Sequence, residues 1–321
     1  MEISLFIIHQ ITELKNEGSR QQRLKFGDSS SQKKIYLSNM KNKVLVVLLL
    51  ILSSNIVVAQ LPKNHGKIQS KLFLGESNNQ PLVVFFGGSE GGNIWAEDSN
   101  KEFRDKLIGH GYAVLTIGYF GLKKTPKYLD RISIDAISDS IAQIANNSKI
   151  NNRKIAIIGG SRGSELILNL ASRYKQFNLV IAITPSHVSF PFTTQKRTTS
   201  SWTYNGVEIP AVPIDWKMTE SIGWEGIFSA VVKNELDVDQ ALIKVENING
   251  PILLISAKDD NLWPSETMSN EIIRRLEAKS FIHFYEHLSL EGDHGDLVGH
   301  LDIIYDFLIN HFDKQNTDDN R

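Results

Sequence analysis

The chain has 321 residues, 41% of them hydrophobic and 22% charged, with a formal net charge of -1. That length allows one large domain or two small ones, with a sizeable core. The near-neutral balance argues against an extended nucleic-acid surface, and the absence of cysteine excludes disulfides, thiolate catalysis and thiolate metal ligation.

Residues 1–39 are mostly polar and read as a disordered, non-native extension upstream of the true start at Met40. Met40-Lys41-Asn42-Lys43 then forms a short basic stretch, Val44 to Leu52 an apolar run, and Ser53 to Gln60 a small-residue region. Val57 and Ala59 take the −3 and −1 positions of a cleavage before Gln60. The apolar run falls short of the ~20 residues that a membrane span needs. The pattern predicts a signal peptide over 40–59 and a periplasmic or secreted domain over 60–315, membrane-anchored if uncleaved. Residues 316–321 read as a disordered tail.

From about residue 70 strand-like runs alternate with helical stretches. The first clear strand is Leu82–Phe86, ending in Gly87-Gly88. A helix near 100–110 follows, with Gly111 after its end, then a strand over Tyr112–Ile117. Ile134, Ile137, Ile141 and Ile144 share one face of a helix over 134–146. A strand over Lys154–Ile158, a Gly-rich turn, a helix over 164–174 and a strand over Leu179–Ile183 come next. Residues 186–248 break the rhythm with several prolines and an Asn205-Gly206 hairpin signal, and read as a cap inserted over the sheet. Alternation resumes with a strand over 251–256, a helix over 265–279, a last strand over 281–285 and a last helix over 297–312. Uninterrupted apolar strands separated by helices predict a mostly parallel sheet covered on both faces.

Gly159-Gly160-Ser161-Arg162-Gly163 matches G-x-S-x-G, directly after one predicted strand and directly before a helix. That context is the nucleophile elbow, a strained turn that lifts a serine hydroxyl above the sheet. A nucleophilic serine needs a base, and the base needs an orienting acid, in the chain order Ser, Asp or Glu, His. Asp260 follows the strand at 251–256, four residues before Pro264, with Asp259 as the alternative acid. His294 lies in the glycine-flanked Glu291-Gly292-Asp293-His294-Gly295 loop. His287, expected just after the last strand, is the alternative base; His283 inside that strand and His300 inside the last helix read as structural or surface residues. The oxyanion donors are expected to be the backbone N–H of Arg162 and those of Gly88 and Ser89 in the Gly-rich loop after the first clear strand. No Lys-Ser or Lys-Thr pair follows that loop, so it is not a phosphate-cradling P-loop, and no zinc-ligand spacing is present.

The chain resembles the C-terminal catalytic domain shared by acyl-CoA thioesterases and bile acid-CoA:amino acid N-acyltransferases, which has the α/β-hydrolase fold. The residues that carry the resemblance are Phe86-Gly87-Gly88-Ser89-Glu90-Gly91-Gly92, Gly111–Leu115 leading to Tyr119-Phe120, Gly160–Leu166, Ser201–Gly206 and Leu253–Ser265. It spans about 81–312. It implies Ser161, Asp260 and His294 as nucleophile, acid and base. The acyltransferase members carry cysteine at the nucleophile, so serine points to hydrolysis.

The expectation is an α/β-hydrolase that cleaves a small-molecule ester or thioester through an acyl-enzyme. It needs no cofactor, no metal and no nucleic acid, and makes no stable membrane insertion after signal cleavage. A peptidase or amidase on the same triad, or a catalytically silent binding protein, are the alternatives. Trp202, Tyr204, Trp216 and Trp224 are candidates to line an acyl pocket under the cap, or to form the cap's own small core.

Overall fold

The computed structural model describes residues 60–194, 197–215, 217, 219–296 and 300–313. The stretch over 40–59 predicted as a signal peptide, residues 1–39 before it, Trp216 and residues 316–321 lie outside these residues. Among the described residues no helix is long and apolar enough to cross a membrane.

The elements, in chain order, begin with β1 (Gln69–Phe73), β2 (Gln80–Phe86), α1 (Lys101–Gly109), β3 (Ala113–Gly118) and β4 (Ile132–Ser133). Then come α2 (Ile134–Ala145), β5 (Ile150–Gly160), α3 (Arg162–Ala171) and β6 (Leu179–Ile183). The 186–248 segment contributes β7 (Pro191–Thr194), β8 (Arg197–Ser200), β9 (Trp202–Tyr204), β10 (Val207–Glu208), α4 (Thr219–Val231) and α5 (Glu235–Ala241). The chain closes with β11 (Ile252–Ala257), α6 (Ser265–Ala278), β12 (Tyr285–Leu290) and α7 (Leu301–Leu308), which runs into a π-helical turn over Ile309–Asp313.

Seven strands form one sheet in the order β1-β3-β2-β5-β6-β11-β12. Only the β1–β3 pair is antiparallel. Side chains alternate across a strand, so β2 sends Leu82, Val84 and Phe86 into one layer and Val83 and Phe85 into the other. Ile134, Ile137 and Ile141 of α2, Leu166 and Leu170 of α3, and Ile272 of α6 fill the first layer. Phe103 and Leu107 of α1 and Ile304 and Phe307 of α7 fill the second. Burial on both faces is why these strands read as continuous apolar runs. Local signals agree: Ser133 caps α2 by accepting the Ala136 N–H, and Gly111 at φ +105 turns the chain after α1.

The chain leaves β2 toward β3 on one side and returns through β5 on the other. The β2–β5 junction is therefore the topological switch point, where open α/β sheets place their crevice. Phe86 and Gly159 are register partners there, so the loop after β2 lies beside the turn after β5.

Over the C-terminal edge of the sheet, residues 186–248 carry a small core of their own, in which Val188, Phe190, Val212, Ile214 and Ile227 pack with Trp263 and Met268. Asn205 and Gly206 both adopt positive φ, as the hairpin signal requires. The β9–β10 hairpin extends β4 rather than standing apart from the domain. Helix α4 is broken at Gly223, whose φ is +71.

The largest departure from the sequence expectation is at the last strand. β12 spans Tyr285–Leu290, while the apolar stretch expected to form it, with Ile282 88% exposed, precedes it. β12 is an edge strand with Glu286 facing solvent, so it lacks the unbroken apolar run that marks the interior strands. His283 accordingly precedes the strand and His287 sits inside it, the reverse of the expectation. His300 is the N-cap of α7, not an interior helical residue.

Candidate active site

Ser161 follows β5 and precedes α3, with φ +53 and ψ −124. A non-glycine residue at such a φ stores roughly 1–3 kcal/mol of backbone strain. Hydrogen bonds from the Ser161 N–H to Ile183 O at 2.9 Å and Thr184 Oγ1 at 3.2 Å hold it there. The two motif glycines have different neighbours but one reason to be glycine. A Cβ on Gly159 would lie 2.4 Å from Gly163 O, and one on Gly163 would lie 2.4 Å from Gly87 O. The turn is pressed against the loop after β2, so backbone from both segments meets at the serine.

Asp260 and His294 reach the same place from β11 and β12. His294 Nδ1 lies 2.9 Å from Asp260 Oδ1 and 3.0 Å from Oδ2, and the Asp260 side chain is only 2% exposed. The N–H groups of Leu262 and Trp263 also donate to Asp260 Oδ1. Burial works to raise the Asp260 carboxyl, but hydrogen bonds from His294, Ser265 and the Trp263 backbone outweigh it and hold the group below its ordinary value. Asp259, by contrast, is exposed. The remaining His294 nitrogen, Nε2, is buried and has no hydrogen-bond partner among the described residues. Trp263 packs edge-on against the imidazole, with ring centroids 5.7 Å apart.

His287, the alternative base, is committed elsewhere. Its Nε2 lies 2.7 Å from Ser256 Oγ and its Nδ1 3.1 Å from Asn270 Oδ1. Ser256 is fully buried inside β11, so this pair braces the β11–β12 edge.

The three expected oxyanion donors fare differently. The Gly88 N–H donates to Glu90 Oε1 at 2.7 Å and is therefore engaged within its own loop. Arg162 is the first residue of α3, where helix geometry leaves the N–H without an intrahelical acceptor. Ser89 is exposed on the loop and lines the cleft at Ser161. Tyr119 anchors this loop by donating its hydroxyl to Gly87 O at 2.7 Å.

Two clefts open on Ser161 and His294. One, of about 290 Å³, runs beneath the 186–248 segment and is walled by Phe190, Trp224, Phe228, Leu262 and Trp263. The other, of about 210 Å³, is lined by the loop after β2, by Ile94, Trp95 and Asn100, and by Gly160, Ile183 and Thr184. Among the four aromatic residues expected from sequence to line a pocket, Trp224 lines the first cleft. Trp202 is fully buried, and Tyr204 packs on Tyr174 away from the serine. Phe190, Phe228 and Trp263 take their place.

Trp202 has a different partner, Glu165, one turn into α3 and wholly buried. Glu165 accepts from Trp202 Nε1 at 2.5 Å, from the Phe190 N–H at 3.0 Å and from Arg162 Nη1 at 2.5 Å. Arg162 also donates to Phe190 O at 2.8 Å and to Ser201 Oγ. Burial pushes the Glu165 carboxyl up, against the pull of the Arg162 guanidinium. This network ties the nucleophile helix to the 186–248 segment. The sequence signal is one carboxylate in an apolar helix, three residues after an arginine. Among the described residues no group of three or more His, Asp or Glu is arranged to hold a metal ion.

Comparison with known proteins bears on the family and the fold. The chain is 27% identical to acyl-coenzyme A thioesterase 1 of Rattus norvegicus over 226 residues, covering 69% of this chain and 50% of the relative. It is 26% identical to the mitochondrial acyl-coenzyme A thioesterase 2 of Homo sapiens over 227 residues, covering 69% and 44%. The chain thus spans about half the length of the curated relatives it matches. Among solved structures, uncomplexed acylaminoacyl peptidase of Pyrococcus horikoshii superposes with a TM-score of 0.54 at 14% identity, covering 78% of this chain and 40% of the other. DcsB in complex with its substrate analogue superposes with a TM-score of 0.52 at 11% identity, covering 76% and 94%. At such identities the likeness concerns the fold alone, and that fold is the α/β hydrolase. The model of the family described as "BAAT / Acyl-CoA thioester hydrolase C terminal" matches residues 132–294, from β4 through His294 and over half of the chain. The chain belongs to that family.

Proposed function

We propose that the protein hydrolyses acyl esters or thioesters, with Ser161 as nucleophile, His294 as general base and acid, and Asp260 as the group that orients the imidazole. The observation that carries this reading is the state of His294. One nitrogen is fixed by a buried carboxylate, the other is buried and without a hydrogen-bond partner among the described residues, and the residue lines the same two clefts as Ser161.

Ser161 Oγ attacks the acyl carbonyl while His294 Nε2 takes its proton. Asp260 keeps the Nδ1 proton on the ring and stabilises the imidazolium. The carbonyl oxygen, now negative, is met by the N–H of Arg162 at the start of α3 and by that of Ser89, with the positive end of the α3 dipole behind them. Collapse expels the thiol or alcohol, which His294 protonates. A water deprotonated by the same nitrogen then attacks the acyl-enzyme and releases the carboxylic acid. No hydrogen bond joins Ser161 Oγ to Nε2 in the free protein; catalytic contacts of this kind commonly tighten only with substrate bound.

A panel of activated esters and thioesters tests the reading. Turnover by the wild type that disappears in Ser161→Ala supports it; equal turnover by both proteins contradicts it.

We further propose that residues 40–59 act as an export signal, on the strength of the basic, apolar and small-residue pattern alone. N-terminal sequencing of the exported protein should begin at Gln60. Retention of residues 1–39 on that protein would overturn the idea.

A further inference from the structure

The two clefts at Ser161 differ in charge. We infer that the smaller one receives the leaving group and selects neutral or cationic thiols and alcohols over anionic ones, with Glu90 as the specificity-determining residue. This rests on the hydrolase reading above.

The cleft beneath the 186–248 segment is walled mainly by aromatic rings, and Arg162, the one Lys or Arg among the described residues that line it, is already held by Glu165, Phe190 O and Ser201. An apolar acyl chain fits that side, because burying it there leaves no polar group unmet. The leaving group then departs on the other side of the serine, where His294 can still deliver a proton.

That side is acidic. Glu90 lines it, with Oε1 accepting the Gly88 N–H at 2.7 Å. Oε2 has no hydrogen-bond partner among the described residues. A Cβ on Gly88 would sit 2.9 Å from Glu90 Oε2 and 3.2 Å from Ser161 Cβ, so the carboxylate and the nucleophile flank the same glycine. Asn100 supplies a further polar side chain, and no Lys or Arg is among the described residues that line the cleft. The chain segments that form its walls extend the pattern. Residues 89–100 include Glu90, Glu97 and Asp98, residues 292–296 include Asp293 and Asp296, and neither segment contains Lys or Arg. Arg104, behind the first wall, is buried and committed to the carbonyls of Trp95 and Glu97. An anionic leaving group entering here meets the solvent-exposed Glu90 carboxylate, with no Lys or Arg among the described lining residues to offset it; a cationic one meets an uncommitted carboxylate oxygen.

The test uses three butyryl thioesters that differ only in the thiol: thiocholine, neutral 2-mercaptoethanol and anionic 3-mercaptopropionate. Released thiol is read by colour. In the wild type, kcat/KM for the thiocholine ester should exceed that for the 3-mercaptopropionate ester by about tenfold, and the gap should narrow as salt is added. Glu90→Gln, which keeps an acceptor for the Gly88 N–H, should shrink the ratio several-fold, and Glu90→Lys should invert it. Equal rates for the charged pair in the wild type, a preference for the anion, or a ratio unaltered in Glu90→Gln would each overturn the inference. If the neutral thioester is not hydrolysed either, the hydrolase reading itself has failed, and the two failures are thereby told apart.

Discussion

Asp260 and His294 meet at 2.9 Å from the ends of two neighbouring parallel strands, and the aspartate is almost wholly buried by that contact and by Trp263 beside it. An imidazole held at one nitrogen by a buried carboxylate is fixed in both tautomer and orientation. The other nitrogen is then available for chemistry.

Asp260→Asn should lower kcat by about 10³–10⁴-fold while leaving KM within a few-fold, because the amide favours the wrong imidazole tautomer. A steady-state assay on an activated ester checks this. The same residue sets an acid limit. Its carboxyl is held below the ordinary value of about 3.9 in the fold, so its stabilising contribution is present above that pH and lost as the pH falls through the depressed value. Denaturant midpoints at pH 7 and pH 3 should drop less in Asp260→Asn than in the wild type.

The Glu165–Arg162 pair carries the opposite sign. Burial raises the Glu165 carboxyl, so the contribution of Glu165 is largest at or below the ordinary glutamate value of about 4.3 and declines as the pH rises toward neutrality. Glu165→Gln keeps acceptors for Trp202 and Phe190 and should flatten that decline. Glu165→Leu strands a buried guanidinium and should cost about 3–5 kcal/mol, read by urea unfolding at pH 7. It should also free the Trp202 indole N–H, seen as a change in tryptophan fluorescence.

Two neighbouring glycines should respond differently to one methyl group. In Gly163→Ala the new Cβ runs into the backbone oxygen of Gly87 at 2.4 Å. Neither segment can yield without moving the elbow, so a loss of at least about 1–3 kcal/mol is expected, along with activity. In Gly160→Ala the nearest atom is Ile183 Cβ at 4.0 Å, and the change should cost about 0.5 kcal/mol or less. Thermal melts of both variants decide the matter.

Trp224 is half exposed and walls the aromatic cleft, so Trp224→Ala should fold normally. Its effect should grow with acyl length: little change with acetyl esters, and a several-fold rise in KM with hexanoyl or longer ones. The physical reason is that each Å² of acyl chain the indole shields from water is worth roughly 25 cal/mol. A flat response across chain lengths would place the acyl group elsewhere.

Much of this architecture is legible in the sequence because parallel strands buried on both faces leave a continuous apolar trace. The Leu179–Ile183 run coincides with β6 at both ends, and the helix carrying Ile134, Ile137 and Ile141 agrees to within a residue. The elbow is legible because Gly159 and Gly163 answer a steric demand that no other residue type meets. β12 escapes such a reading because none of its residues is fully buried and Glu286 faces solvent, while Phe281 and Ile282 offer a false apolar run just before it. The pocket residues are harder still. Phe190, Phe228 and Trp263 come from a strand-flanking loop, a kinked helix and the turn after β11, and only the packed fold brings them together. Likewise, nothing in the order of residues says that Glu90 folds back to take the Gly88 N–H.

The central claim is that Ser161 is a nucleophile activated by its surroundings, and covalent labelling with a fluorophosphonate, mapped by peptide mass spectrometry, tests it most directly. The account predicts a single adduct on Ser161 in the wild type and none in Ser161→Ala. A correctly folded wild type that takes no label, or takes it on another serine, would contradict it.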